Sequence, residues 1–324
     1  MKLEKIHYQS DWAEAGFLSP LSRFFVGDNN GQSIHEKKIS GADFRWMIRE
    51  NRFESGFYEC PVLELRLEVD DPGIVFLSDQ MDNQLLHREI YRGTAEIIRD
   101  STWGETYMYS RLLRHEPLFC ALRRLDFGEV EQRRLYGCRF GELKGHRVEK
   151  LSDRNIRYCS LAAFASGRIP DLKEQILDLC RDAFGIGYTR HFTDAFFSKK
   201  KPGTEYILAV MEINFRNVDP RHFLVAVDEG DAAICGFTVL GKKSGVEGNV
   251  YTQLLSAVSR LYQGQGIYRG LTDLAASTFP PGAGLFNVTH VGNRKIQRAY
   301  QDSGRRHVAD TVVLRRVFSA STSK

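Results

Sequence analysis

Three strand-like runs followed by a strict alternation of helix and strand fill the last third of this chain, and few folds accommodate that order. "HFLVAV" at 222–227, a "DEGD" turn and "AAICGFTVLGKK" read as an antiparallel hairpin, and "NVYTQLLSAV" at 249–258 as a third strand. A helix over "YRGLTDLAAST", a strand over "GLFNVTH" at 284–290, a helix from Arg294 to Ser303 and a closing strand "HVADTVVLRRVF" complete the series. Two helices stand ahead of it. "DLKEQILDLCRDAFG" at 171–185 carries an apolar stripe at Leu172, Ile176, Leu177, Leu179 and Cys180, and "TEYILAVMEINFR" has Thr204 as a candidate N-cap. The aromatic and basic stretch between them, "IGYTRHFTDAFFSKKKPG", reads as a loop. The pattern predicts an α/β domain over residues 155–320.

The first half echoes the end of this pattern. "GIVFLS" at 73–78 reads as a strand, "LLHREIYRGTAEIIRD" as a helix, "ETYMYSRL" as a strand, "EPLFCALRRLDF" as a helix and "EVEQRRLYGCRF" as a closing strand. With Asp126 set against Gly304, His115 falls at Asn293 and Leu122 at Tyr300. The elements repeat while the polar residues do not, which predicts a tandem duplication with a degenerate first copy over 1–150. Any chemistry is then expected in the second copy.

Composition excludes several classes. Of 324 residues 27% are charged, and the net charge of +4 is too small to argue for nucleic acid. The basic clusters, "KKK" at 199–201, Arg305 with Arg306 and Arg315 with Arg316, are short and read as solvated surface. "MKLEKIHYQSDW" has no apolar run fit for a signal peptide, and no segment is long enough to span a bilayer, so a cytoplasmic protein without a membrane partner is expected. Cys60, Cys120, Cys138, Cys159, Cys180 and Cys235 are scattered, without C-x-x-C spacing or histidine partners. They read as buried thiols, and no metal site is expected.

Between the third strand and its helix lies "SRLYQGQGIYRG" at 259–270. Gly264 and Gly266 let the backbone come close to a ligand. The free N–H groups of a helix's first turn carry the positive end of its dipole, and such a junction suits an anion. The loop is neither a Walker loop nor G-x-G-x-x-G, because Arg269 stands where the third glycine would be. By itself it is equally a plain glycine turn. Further on, "GNRKIQRAYQDSG" at 292–304 places Asn293, Tyr300 and Gly304 where an N-cap, a half-buried aromatic and a C-terminal glycine belong, so it reads first as an ordinary capped helix.

Taken in order, these parts resemble the GNAT acyltransferase superfamily. Its phosphate loop follows Q/R-x-x-G-x-G/A, met here by Gln263 and Gly266 with Tyr268 at the last position. Its later helix follows N-x-x-A-x-x-x-Y-x-x-x-G-F, met by Asn293, Tyr300 and Gly304, with Ile296 at the alanine and Arg305 at the phenylalanine. The resemblance covers roughly 171–318. Shorter stretches, "YTRHFTDAFF" and "THVGNRKIQRAYQDSG", are similar to those of TDP-fucosamine-type amino-sugar acetyltransferases.

The resemblance implies a mixed central sheet of GNAT type and acetyl-CoA as cosubstrate. It implies transfer of the acetyl group directly to a small-molecule amine, through a tetrahedral intermediate, with a nucleotide-linked amino sugar as the first choice of acceptor. Gln263, Gly264, Gln265, Gly266, Ile267 and Tyr268 would hold the pyrophosphate, Asn293 the pantetheine arm, and the backbone around Val258 would pair with it. Tyr300 would give a proton to the departing sulfur. Tyr268 leaves the path of the pyrophosphate open, and Arg305 suggests a more exposed last turn.

A base is needed as well, because a primary amine is mostly protonated at neutral pH. His290 is the first candidate, with His191, Asp194 and Glu212 behind it. Arg190 could bind a phosphate and Phe192 a ring or base, with Asp194 beside them, although an ordinary loop explains these residues equally well. Two other readings compete: acyl transfer to an antibiotic, amino acid, polyamine or protein lysine, and a non-catalytic module that senses coenzyme A. Keeping Tyr300 while its counterpart is Leu122 favours catalysis. The sequence leaves the oligomeric state open.

Overall fold

The computed structural model describes residues 33–38, 44–69, 83–99, 104–113, 117–143, 155–164, 171–184, 189–242 and 249–319. The strand expected at 73–78 and His115 lie outside them. The chain forms two units, one made of residues 1–133 with 310–324 and the other of 134–309.

In the first unit the described elements are β1 (Ser33–Lys38), β2 (Phe44–Glu50), α1 (Arg52–Tyr58), β3 (Val62–Val69), α2 (Asn83–Arg99), β4 (Thr106–Leu113), α3 (Pro117–Arg124) and the start of β5 (Gly128–Arg139). Its strands follow the order β1-β2-β3-β4, and next to β4 lies the second part of the last strand of the chain, residues 310–318. Only β3 and β4 run parallel, over Val62↔Tyr107, Leu63↔Met108 and Glu64↔Tyr109; the other registers given for this unit are antiparallel.

The second unit begins with Arg134–Arg139 of β5. It continues through β6 (Ile156–Ser160), α4 (Leu172–Ala183), α5 (Arg190–Thr193), α6 (Ala195–Lys200) and α7 (Gly203–Asn217). Then come β7 (Phe223–Asp228), β8 (Ala233–Lys242), β9 (Val250–Val258), α8 (Ile267–Thr278), β10 (Gly284–His290), α9 (Arg294–Asp302) and the start of β11 (Arg306–Phe318). Its strand order is β6-β7-β8-β9-β10-β5, antiparallel from β6 to β9 and parallel between β9 and β10.

Both faces of this second sheet are covered, which explains the unbroken apolar run of β7. Successive side chains of a strand point to opposite faces. Phe223, Val225 and Val227 join a core with Ile176 of α4 and Met211 of α7, while Leu224 and Ala226 join another with Ile267, Leu271 and Ala275 of α8. The stretch expected as a loop before α7 holds two short helices, and α7 starts after Pro202 rather than at Thr204.

Glycines set how closely α8 approaches the sheet. A Cβ on Gly236 of β8 would lie 2.8 Å from Ile267 Cγ2, and one on Gly270 of α8 would lie 2.2 Å from the ring of Tyr158 on β6. Gly270→Val is therefore expected to destabilise the protein by about 3 kcal/mol, an overpacking cost. A thermal melt would show a fall of about 10 °C. An unchanged midpoint would mean that α8 shifts freely on the sheet.

The two units repeat one plan. In each, two parallel strands pair over three residues, and a helix lies between them in sequence. Asp126 and Gly304, aligned in the sequence, both adopt positive φ, 61° and 88°, after the corresponding helices. Register and alignment place Leu65, Leu122 and Phe127 of the first unit where the second has Gln253, Tyr300 and Arg305. All three lie in the apolar core of the first unit.

Candidate functional site

The parallel pairing of β9 with β10 runs over Gly284↔Val250, Leu285↔Tyr251 and Phe286↔Thr252. Beyond Thr252 the pairing ends, while β9 continues to Val258 still paired with β8 on its other edge. A bulge falls at the same place: Val239 pairs with Leu255 and Leu240 with Gln253, which leaves Leu254 as the extra residue. Bulges bend and twist a strand, and they are common beside active sites. From Gln253 to Val258 the edge of β9 that faced β10 is thus left with backbone groups to offer.

Five polar side chains converge where the strands part. Gln253 Oε1 accepts the phenol O–H of Tyr268 at 2.9 Å and the amide of Asn287 at 2.5 Å, and Gln253 Nε2 reaches the phenol oxygen of Tyr300 at 3.4 Å. The guanidinium of Arg305 lies over both tyrosine rings. Tyr300 is 3% exposed and its ring meets that of Tyr136 edge-on at 5.4 Å. Burial pushes the Tyr300 phenol well above its ordinary value, Tyr268 adds to that, and Arg305 works against it. Burial also raises Tyr268, with Arg305 again opposing.

At its far end β9 turns into the glycine loop. A short 3-10 turn, Arg260–Tyr262, is tied down by Arg260, whose guanidinium pairs with Asp182 at 3.0 Å, and by the Tyr262 phenol, which donates to Asp228 at 3.0 Å. Gly264 and Gly266 then take φ of 81° and 74°, a region open to glycine and strained for other residues. Helix α8 starts at Ile267 with no side-chain cap, so the N–H groups of Ile267, Tyr268 and Arg269 lack intrahelical acceptors. A Cβ built on Gly264 would meet nothing within 4 Å, which marks open space beside the loop. Gln263 and Gln265 turn back on the loop, donating to the carbonyls of Val258 and Leu261 at 3.5 and 2.9 Å. The backbone N–H groups, not these side-chain amides, are left to offer to an anion.

No protein-family model matches the sequence, and no curated protein matches it. Solved structures do. A GCN5-related N-acetyltransferase from Sphaerobacter thermophilus aligns at a TM-score of 0.50 and 13% identity, over 85% of this chain and 76% of its own. A tandem GNAT protein from the clavulanic acid biosynthesis pathway aligns at 0.51 and 11% identity, over 89% and 82%. The fold is the GNAT fold.

Within this GNAT fold, the residues singled out in the sequence separate into groups. Val258 ends β9, Gln263–Gly266 form the loop after it, Ile267 and Tyr268 open α8, and Tyr268 and Tyr300 meet in the polar cluster. Asn293 is the N-cap of α9, its Oδ1 accepting the N–H of Ile296 at 3.4 Å. Asn293→Ala is expected to cost about 1 kcal/mol, read as a lower melting midpoint; an unshifted midpoint would show that the cap contributes nothing.

His290 proves to be a turn residue. Its Nδ1 accepts the N–H of Gly292 at 2.9 Å, so in the neutral ring the proton lies on Nε2 and the lone pair of Nδ1 is engaged in the turn. The side chain of Gln297 locks the same turn by donating to the carbonyls of His290 and Val291.

The supposed acceptor-binding loop also needs correction. Arg190 is 1% exposed, with its guanidinium over the ring of Phe197. Asp194 caps α6 by accepting the N–H of Phe196 at 3.0 Å, and His191 stacks on Tyr206. Phe192 packs on Gly203, where a Cβ would come within 2.6 Å of its ring. Arg190, His191 and Asp194 are buried and Phe192 is half-buried against α7, so these side chains are engaged in helix packing. Glu212 pairs with Lys173 at 2.7 Å.

Arg305 was expected at an exposed helix end and is 4% exposed. Gln253 and Asn287 were overlooked. Each is a lone amide in an otherwise apolar strand, "VYTQLLSAV" and "GLFNVTH", and that was the available signal.

Proposed function

We propose that this chain is an acetyl-CoA-dependent N-acetyltransferase acting on a small-molecule amine, with its chemistry in the second unit. One observation carries the reading: β9 is freed from β10 at the polar cluster and leads, with its edge open, to a helix start lined by unpaired N–H groups. A long ligand that is polar along its arm and anionic at one end fits that course. The edge at Gln253–Val258 would take the arm, and the loop Gly264–Ile267 with the first turn of α8 would take the phosphates. Asn293 keeps its amide N–H₂ for the arm. The cosubstrate supplies the thioester.

The residues of the chain supply the rest. The O–H of Tyr300 is the acid for the departing sulfur, and a free N–H on β9 can meet negative charge on the carbonyl oxygen. With His290 occupied in its turn, the amine proton leaves to solvent. No contact singles out the acceptor. The amino group of a nucleotide-linked amino sugar remains the first to test, on the short sequence likeness at 188–197 and 289–304, although the buried side chains of the first stretch are engaged in packing.

The test is calorimetric titration with acetyl-CoA, followed by thiol release in the presence of TDP- and UDP-amino sugars, polyamines, amino acids, aminoglycosides and lysine peptides. Binding with acceptor-dependent thiol release is expected. A folded protein that does not bind acetyl-CoA would defeat the proposal.

A further inference from the structure

The end of α9 dictates where residue 305 must lie. Gly304, at φ 88°, donates its N–H to the carbonyl of Gln301, and Arg305 donates its N–H to the carbonyl of Tyr300, both at 3.0 Å. This paired pattern closes the helix and turns the side chain two places past its cap onto the residue three places before that cap's end, here Tyr300. An apolar residue usually makes that contact. In this chain it is a guanidinium, with its carbon 5.2 Å from the ring centroid of Tyr300 and 5.9 Å from that of Tyr268. Its Nη1 donates to Ser303 Oγ, its Nε has no partner, and no carboxylate among the described residues pairs with it. A buried cation without a counter-ion is costly, so a group that becomes negative beside it would be stabilised.

Tyr300 is that group. Both lone pairs of Gln253 Oε1 are taken by Tyr268 and Asn287, so Gln253 turns its N–H toward the Tyr300 oxygen, and the Asn287 amide favours the charged phenol as well. Gln253 thus gives the oxygen a donor and Arg305 lays a cation over the ring, while the Tyr268 phenol works against the charge. The other titratable groups nearby are Tyr268 from α8 and Tyr136 from β5, whose ring also meets that of His307. Cys138 of β5 lies near Arg305, and burial pushes its thiol up to about 11.

We propose that Arg305 is a positioning residue for acid catalysis by Tyr300, the buried cation that holds the phenolate left when the phenol gives up its proton. The inference rests on the acetyltransferase reading. In that step the Tyr300 O–H bond breaks and an S–H bond forms on the departing thiolate. The electron pair stays on the phenolate oxygen, which regains a proton, through solvent, from the amine that becomes the amide.

The sign follows. Arg305 favours the charged form of Tyr300, so removing it makes the phenol a weaker acid. Turnover should fall, and the loss of activity at high pH should move to higher pH. R305Q and R305F, the latter restoring an apolar contact in case the amide variant folds poorly, are expected to lower kcat at least about tenfold. Affinity for acetyl-CoA should be unchanged, R305K should recover most of the rate, and R305Q should cost nothing more in a Y300F background.

A ligand-free measurement runs beside these. With a fluorinated, more acidic tyrosine at position 300, its ionisation midpoint followed by ¹⁹F NMR is expected to rise in R305Q. Full turnover in R305Q and R305F, an equal loss in the Y300F background, or an unmoved midpoint would each overturn the inference. A wild-type protein that releases no thiol would instead defeat the acetyltransferase reading, and the NMR midpoint would still decide whether Arg305 holds the phenolate.

Discussion

Tyr300→Phe lowers turnover by about 10²–10⁴ and leaves the affinity for acetyl-CoA nearly unchanged, if Tyr300 is the acid. The substitution keeps the ring, and with it the edge-on contact to Tyr136 and the guanidinium of Arg305. Only the O–H is lost. Gln253 Nε2 then lacks its acceptor at the cluster, a loss of about 1 kcal/mol in stability that a thermal melt would report separately. The decisive pair of measurements is kcat from thiol release and Kd from calorimetry. Equal turnover in the variant would show that the thiolate departs without this proton. A parallel loss of binding would make Tyr300 a wall of the site rather than its acid.

Gly266→Val is expected to weaken acetyl-CoA binding by about 10–100-fold with little change in kcat at saturation. Gly266 holds φ 74° at the start of α8, and a β-branched residue there carries strain of about 1–3 kcal/mol, which corresponds to that range of affinity. The relaxed loop would turn its N–H groups away from the phosphates, and binding must force it back. Gly264→Ala should act in the same direction and more weakly, because φ there is also positive while the space beside it is open. Calorimetry on both variants, checked by circular dichroism for an intact fold, tests the idea. Unchanged affinity in Gly266→Val would place the anion elsewhere.

Much of the second unit was legible in advance, for physical reasons that can be named. The hairpin of β7 and β8 has a polar turn between two apolar runs, and α9 has its cap at Asn293 and its glycine at 304. The first unit was harder to read. β1 is "SIHEKK", with no apolar face to detect, yet β3 is "VLELRLEV", whose alternation of Leu63, Leu65 and Leu67 with charged residues was a strand signal that went unread.

Burial was the least legible property. Arg190 and Asp194 are charged residues on a stretch rich in aromatics, a composition that suits a binding loop and a packed corner alike. Gly203 decides for the corner, by letting Phe192 settle on the first turn of α7. Arg305 was misjudged because charge at a helix end suggests solvent, while the hydrogen bonds that close α9 carry it onto Tyr300.

The division of the closing strands between the two units makes them inseparable at any one peptide bond. Residues 134–139 run on from the first half and complete the sheet beside β10, and residues 310–318 run on from the second half and complete the sheet beside β4. A fragment beginning near residue 150 would lack the first of these strands, and one ending there would lack the second. The first unit, whose core holds Leu65, Leu122 and Phe127, is thus joined to the second through the chain at two points, and removing residues 1–150 would take away Tyr136, the ring that Tyr300 meets edge-on.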